Sequence, residues 1–198
     1  ALIDLQRANG LKVLGNILAL LEKEVPITIA KLDGGSKENA IARDAQAIIT
    51  YQSNDYAKIK ELLTFYEKEL QIQYASSDPG LKILSEDVTV EKHFTEELSS
   101  DLIKLLVALP YGTRFKDKGL DDLVVNSANL GVVEVVDDNL RIGASYRAPQ
   151  NFVLDLTINE VATIVTALGH KMNFLARYPG WTYEADSPLR KKLQAVYY

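Results

Sequence analysis

Helical patterns separated by pairs of extended segments predict an α+β fold, with one mostly antiparallel sheet and helices packed on one face. The helix, two strands, helix rhythm recurs weakly along the chain, which suggests two similar halves. The composition supports a packed domain of this kind: 198 residues, 47% hydrophobic and 25% charged. There is no low-complexity tract and no short-period repeat.

Leu5, Leu11, Leu14, Ile17, Leu18 and Leu21 share a helical stripe that begins almost at the first residue, with no obvious cap, and Pro26 ends it. Residues 26–32 alternate, with Ile27 and Ile29 on one face, and predict a strand. Asp33-Gly34-Gly35-Ser36 reads as a loop. Ala45, Ala47, Ile49 and Tyr51 mark a second strand. Ser53 or Asn54 then caps a helix bearing Ile59, Leu62, Leu63, Tyr66 and Leu70. Asp78-Pro79-Gly80 is a turn, and residues 81–90 look extended.

Thr95 opens a helix with Leu98, Leu102, Leu105 and Leu106 on its stripe, stopped by Pro110. Residues 111–118 read as loop. Residues 123–136 and 140–147 predict a hairpin about Asp137-Asp138-Asn139. On its second strand Arg141, Gly143, Ser145 and Arg147 share the polar face. Thr157 and Glu160 fit a capping box ahead of Val161, Ile164, Val165 and Leu168. Residues 173–177 predict a short final strand. Tyr178-Pro179-Gly180-Trp181 turns the chain, and Ser187-Pro188 opens a last helix that runs to the final residues.

The formal charge of −5 and the scattered Lys and Arg argue against a nucleic-acid partner, because phosphate contacts need clustered cations. No apolar run is long enough to span a bilayer, so no membrane partner is expected. The absence of Cys excludes a disulfide framework and a Cys-based zinc site, and is compatible with a cytoplasmic location.

A self-contained active site is not apparent. His93 and His170 have no ligand partner at a recognised metal spacing and read as surface or capping residues. Asp121-Asp122 and Asp137-Asp138 fall in turns. Two polar positions stand out. Asn39, after the Gly-rich loop, offers a neutral donor for an oxyanion or carboxylate, or is a turn Asn bonded to its own backbone. Arg147, at a strand end, suits bidentate carboxylate recognition, or is an exposed terminal charge.

Four segments, in this order, carry a family resemblance: Gly34-Gly35 followed by Asn39-Ala40-Ile41-Ala42-Arg43; Ser127-Ala128-Asn129-Leu130-Gly131; Ala144-Ser145-Tyr146-Arg147; and Tyr178-Pro179-Gly180-Trp181 with Ser187-Pro188. Together they span nearly the whole chain and resemble the aminoacyl-histidine (Xaa-His) dipeptidases. Arg7-Ala8-Asn9 is similar to the helix start after that family's His-Ser-Gly motif.

The resemblance implies a lid and dimerisation domain over residues 1–181, with 182–198 beginning the return into a catalytic domain. That domain would carry two zinc ions, and metal-activated hydroxide would attack the peptide bond. No catalytic or metal residue is expected in this chain. Asn39 would bind the substrate or polarise its scissile carbonyl, in a neighbouring subunit's site. Arg147 would clamp the C-terminal carboxylate of the dipeptide. The implied partners are a dipeptide, a second copy of the lid and the chain's own catalytic domain.

Two features depart from the pattern. Ala42 stands where the family has Pro, which leaves the backbone freer, and Lys37-Glu38 places charge beside Asn39. Both chain ends fall within helical patterns, which favours an excised segment with apolar residues near Leu2, Trp181 and Val196 left exposed. The alternative is a free-standing α+β small-molecule-binding or sensor module without catalytic activity. An intact carboxylate-based hydrolase ranks behind both.

Overall fold

The computed structural model describes residues 3–120, 122–137, 139–180, 184 and 186–197. Leu2, Asp121, Asp138 and Trp181, singled out above, lie outside the described residues. The regular elements run α1 (Gly10–Glu24), β1 (Thr28–Gly35), β2 (Ala45–Thr50), α2 (Tyr56–Gln73), α3 (Glu96–Ala108), β3 (Gly112–Asp117), β4 (Leu123–Val136), β5 (Asn139–Arg147), α4 (Asn151–Ala167) and α5 (Pro188–Tyr197). The α+β expectation holds, and every strand pair is antiparallel.

β4 organises the five-stranded sheet. β5 pairs along one of its edges, from Ser127↔Arg147 to Val136↔Asn139. The other edge is shared. β3 covers residues 123–128 of β4, and β1 touches it only through Gly34↔Val133 and Gly35↔Val132. β2 pairs on the far side of β1.

One face of the sheet carries the core. Ile29, Leu32, Leu130 and Val133 meet Leu11, Leu18 and Leu21 of α1, Leu102 and Leu106 of α3, Ile59 of α2 and Val161 of α4. Leu11, Ile29, Leu32, Leu106 and Leu130 have no exposed surface. Burying a side chain of this size contributes about 1.5–3 kcal/mol against the entropy of ordering it. α1 and α3 approach closely because Gly15 has no side chain: a Cβ there would lie 2.4 Å from Leu106 Cβ. Lys12 ties the same pair, its Nζ donating to the carbonyls of Leu106, Val107 and Leu109 at 2.7, 2.6 and 2.8 Å. These are the end groups of α3, which lack partners within the helix.

Several local expectations change. The first helix begins at Gly10, and Leu5 belongs to a separate short turn. Asn9 is its cap, accepting from Lys12 N at 3.1 Å. β1 runs on through Gly34-Gly35, because pairing with β4 draws the glycines into the sheet. Ser53 and Asn54 lie in a short turn before α2, whose first turn has no side-chain cap. Residues 111–118, read as loop, contain β3. Residues 81–90 form no strand. Side chains tether them to α2 instead, among them Lys60 to Ser85 and Glu67 to the Ile83 amide. α4 starts at Asn151, so Thr157 is an interior, buried residue on the same stripe as Val161 and Val165, and forms no capping box. Residues 173–177 form no strand either.

Candidate functional site

The sheet face opposite the core is polar along the β4–β5 hairpin. Cross-strand pairing sets Ser127 opposite Arg147, Asn129 opposite Ser145 and Glu134 opposite Arg141. The segment 36–44 leaves β1 and crosses above this face. Gly131 permits the crossing, since a Cβ there would stand 2.4 Å from Lys37 O and 2.5 Å from Glu38 Cα. Gly35 takes φ +68° at the same point, a backbone region suited to glycine, and a Cβ on it would meet Gly131 O at 2.0 Å.

The crossing segment is pinned from outside. Asn129 Nδ2 donates to Glu38 O and to Ala40 O, both at 2.7 Å. Arg141 Nη1 donates to Glu38 Oε1 at 2.8 Å and pairs also with Glu134. That hydrogen bond from Arg141 holds the Glu38 carboxyl below its usual range, and the bonds to Glu134 and Glu38 hold Arg141 above its own. The charge that the sequence places beside Asn39 is therefore matched by a fixed cation. At Ala42, buried where the family has Pro, the carbonyl accepts from Gly10 N at 2.7 Å. Packing and this bond restrain the backbone there.

Asn39 and Arg147 both line one shallow, open depression, together with Ile3, Ser127, Asn129 and Ser145. Both candidates are exposed. Among the described residues neither side chain has a hydrogen-bond or ion-pair partner, so Asn39 is not the self-bonded turn residue of the alternative reading. A cation without a counter-ion beside amide and hydroxyl groups can receive a carboxylate and orient what is attached to it. Ser127, Ser145 and Asn129 join the site without any signal of their own in the sequence. Their shared face follows from the hairpin register, which the alternation along each strand hints at but does not align.

His93 and His170 lie elsewhere. His93 Nδ1 bonds Phe94 O at 2.8 Å, and His170 Nε2 pairs with Asp101 at 3.2 Å, at the end of α4. Among the described residues no three His, Asp or Glu side chains are grouped so as to hold a metal. No donor set for the two zinc ions that the resemblance implies is found among the described residues. Among the described residues no helix is long and apolar enough to cross a membrane.

The chain is 28% identical over 190 residues to the cytosol non-specific dipeptidase of Escherichia coli (strain K12), covering 96% of this chain and 39% of that protein. The fold matches the crystal structure of aminoacylhistidine dipeptidase from Vibrio alginolyticus with a TM-score of 0.87, at 22% identity, again over 96% of this chain and 39% of that one. No protein-family model matches. The chain is homologous to part of a dipeptidase, and it spans about two fifths of the length of the relatives it matches.

Proposed function

We propose that the chain is the substrate-binding and dimerisation lid of a cytoplasmic di-zinc dipeptidase acting on Xaa-His dipeptides, with the metals carried by a separate catalytic domain. The observation that carries this reading is the meeting of Asn39 and Arg147, from distant parts of the sequence, in one depression where Arg147 has no counter-ion among the described residues. Arg147 receives the C-terminal carboxylate of the dipeptide. Asn39 donates to the scissile carbonyl without adding charge, in the same chain's depression and not in a neighbouring subunit's site as the resemblance implies. A cation in the depression favours exopeptidase cleavage, since an internal peptide bond has no carboxylate to offer. Homology to a dipeptidase segment supports the reaction class. Exposed Phe152, Leu175, Tyr178 and Val196 support faces that a catalytic domain or a second lid covers.

The test is hydrolysis of Xaa-His and other dipeptides with added zinc, by this chain alone and by the E. coli relative carrying this chain in place of its matching segment. Activity in the chimera only is the expected result. Arg147→Ala in the chimera should raise KM roughly 10- to 100-fold, the worth of a charge-assisted hydrogen bond. Hydrolysis by the chain alone, or an Arg147→Ala chimera with unchanged KM, overturns the proposal. Activity in neither protein moves the reading to a binding or sensor module.

A further inference from the structure

The pinning of Asn39 has an unusual source. Its two flanking carbonyls, those of Glu38 and Ala40, accept from the same donor, Asn129 Nδ2, at 2.7 Å each. Asn129 is 8% exposed. Both amide hydrogens are spent on the turn that carries Asn39, while Oδ1 meets no donor among the described residues. The orientation of the amide is thereby fixed, because the flipped rotamer would set its oxygen against two carbonyl oxygens. Asn129 also lines the depression and lies across from Ser145, two residues before Arg147 on β5. One side chain therefore bridges the strand pair that holds Arg147 to the loop that holds Asn39.

We infer that Asn129 is the positioning residue of this site: its amide, bonded to both carbonyls that flank Asn39, sets where the Asn39 side chain stands relative to Arg147. The inference rests on reading the depression as a dipeptide site. Asn129 acts through the loop, because both of its amide hydrogens are held by backbone carbonyls. It fixes the span between a carboxylate receptor and a carbonyl donor, and so the length of ligand that satisfies both. Arg141, on Glu38, and the bare Gly131 support the same turn.

Two ligands separate positioning from general stability. N-acetylhistidine offers a carboxylate and an amide carbonyl; imidazolepropionate is the same acid without the acetamido group. Titrated into the 198-residue chain and followed by NMR, Asn129→Ala should weaken N-acetylhistidine roughly tenfold, one hydrogen bond's worth, and leave imidazolepropionate unchanged. Asn39→Ala should do the same, and the double variant should be no weaker than Asn39→Ala alone. The isosteric Asn129→Asp, which cannot donate when ionised, should behave as Asn129→Ala does. Equal loss of both ligands, no loss of either, or an additive double variant overturns the inference. If neither ligand binds the unmodified chain, the dipeptide-site reading falls on its own, and hydrogen exchange decides the inference. The Ala40 amide, bonded to Lys37 O, should then exchange at least about tenfold faster in Asn129→Ala, with the core Ile29 amide unchanged. An unaltered Ala40 amide overturns it.

Discussion

Replacing Gly131 by Ala adds one methyl group under the loop that carries Asn39. The ideal Cβ would lie 2.4 Å from Lys37 O and 2.5 Å from both Glu38 Cα and Glu38 O, and none of these backbone atoms can rotate away. Restoring an ordinary contact of 3.4 Å to Lys37 O requires a displacement of 3.4 − 2.4 = 1.0 Å. A shift of that size directed away from β4 takes the 2.7 Å bonds from Asn129 Nδ2 beyond hydrogen-bonding reach. Overpacking costs about 1–3 kcal/mol, and each lost bond about 1 kcal/mol, but the loop faces solvent and relaxes outward. A net destabilisation of about 2–3 kcal/mol is expected, read as a lower urea midpoint with an unchanged slope. Asn129→Ala removes the same two bonds, so the double variant should fall short of the sum by about 2 kcal/mol. Gly131→Ala within about 0.5 kcal/mol of the unmodified chain would mean that the loop does not rest on Gly131. Additive losses would mean that the two residues hold different things.

Three further outcomes follow from the packing. Gly80 has open space where its Cβ would stand and no positive φ, so Gly80→Ala should stabilise by about 0.4–1 kcal/mol in the same urea assay, a control for the loss at Gly131. Asn9 caps α1 and donates to Leu130 O at 2.7 Å from a buried position, so Asn9→Ala should cost about 2–4 kcal/mol of unfolding free energy. Burial pushes Lys12 from 10.5 down to about 8, so between those values the unfolded chain binds more protons than the folded one and stability rises with pH. Lys12→Met should strand the α3 carbonyls, at a cost of about 1–3 kcal/mol, and abolish that rise between pH 8 and 10; a rise of equal size in the variant would assign it to other groups.

Much of the fold can be read along the chain because its causes are local. The stripe of Leu11, Leu14, Leu18 and Leu21 makes α1 wherever it lies, Thr95 caps α3 through its own hydroxyl, and Pro188 starts α5. The β4–β5 hairpin follows from alternation on either side of a polar turn. Asn39 and Arg147 were legible as candidates from residue type and family resemblance, since an amide after a Gly-Gly loop and an Arg ending a strand are local features.

Strand pairing, by contrast, depends on what lies across the sheet. Thr113, Arg114, Phe115 and Lys116 show no apolar face, yet they form β3 because the long edge of β4 stands open beside them. Residues 81–90 carry apolar residues, including Leu84 and Val88, but find no strand edge, so side-chain tethers to α2 hold them. Gly34-Gly35 looks like a loop until Ala45 of β2 closes on Gly34 and Gly131 of β4 on Gly35, so closely that only glycine fits. The same holds for the site. Nothing local sets Arg147 near Asn39. Their meeting depends on the β4–β5 register, on the absence of a side chain at Gly131, and on one amide of Asn129 reaching two carbonyls about ninety residues earlier in the chain. Backbone propensity acts over a few residues, whereas hydrogen bonds and steric limits between distant segments exist only once the chain has closed on itself.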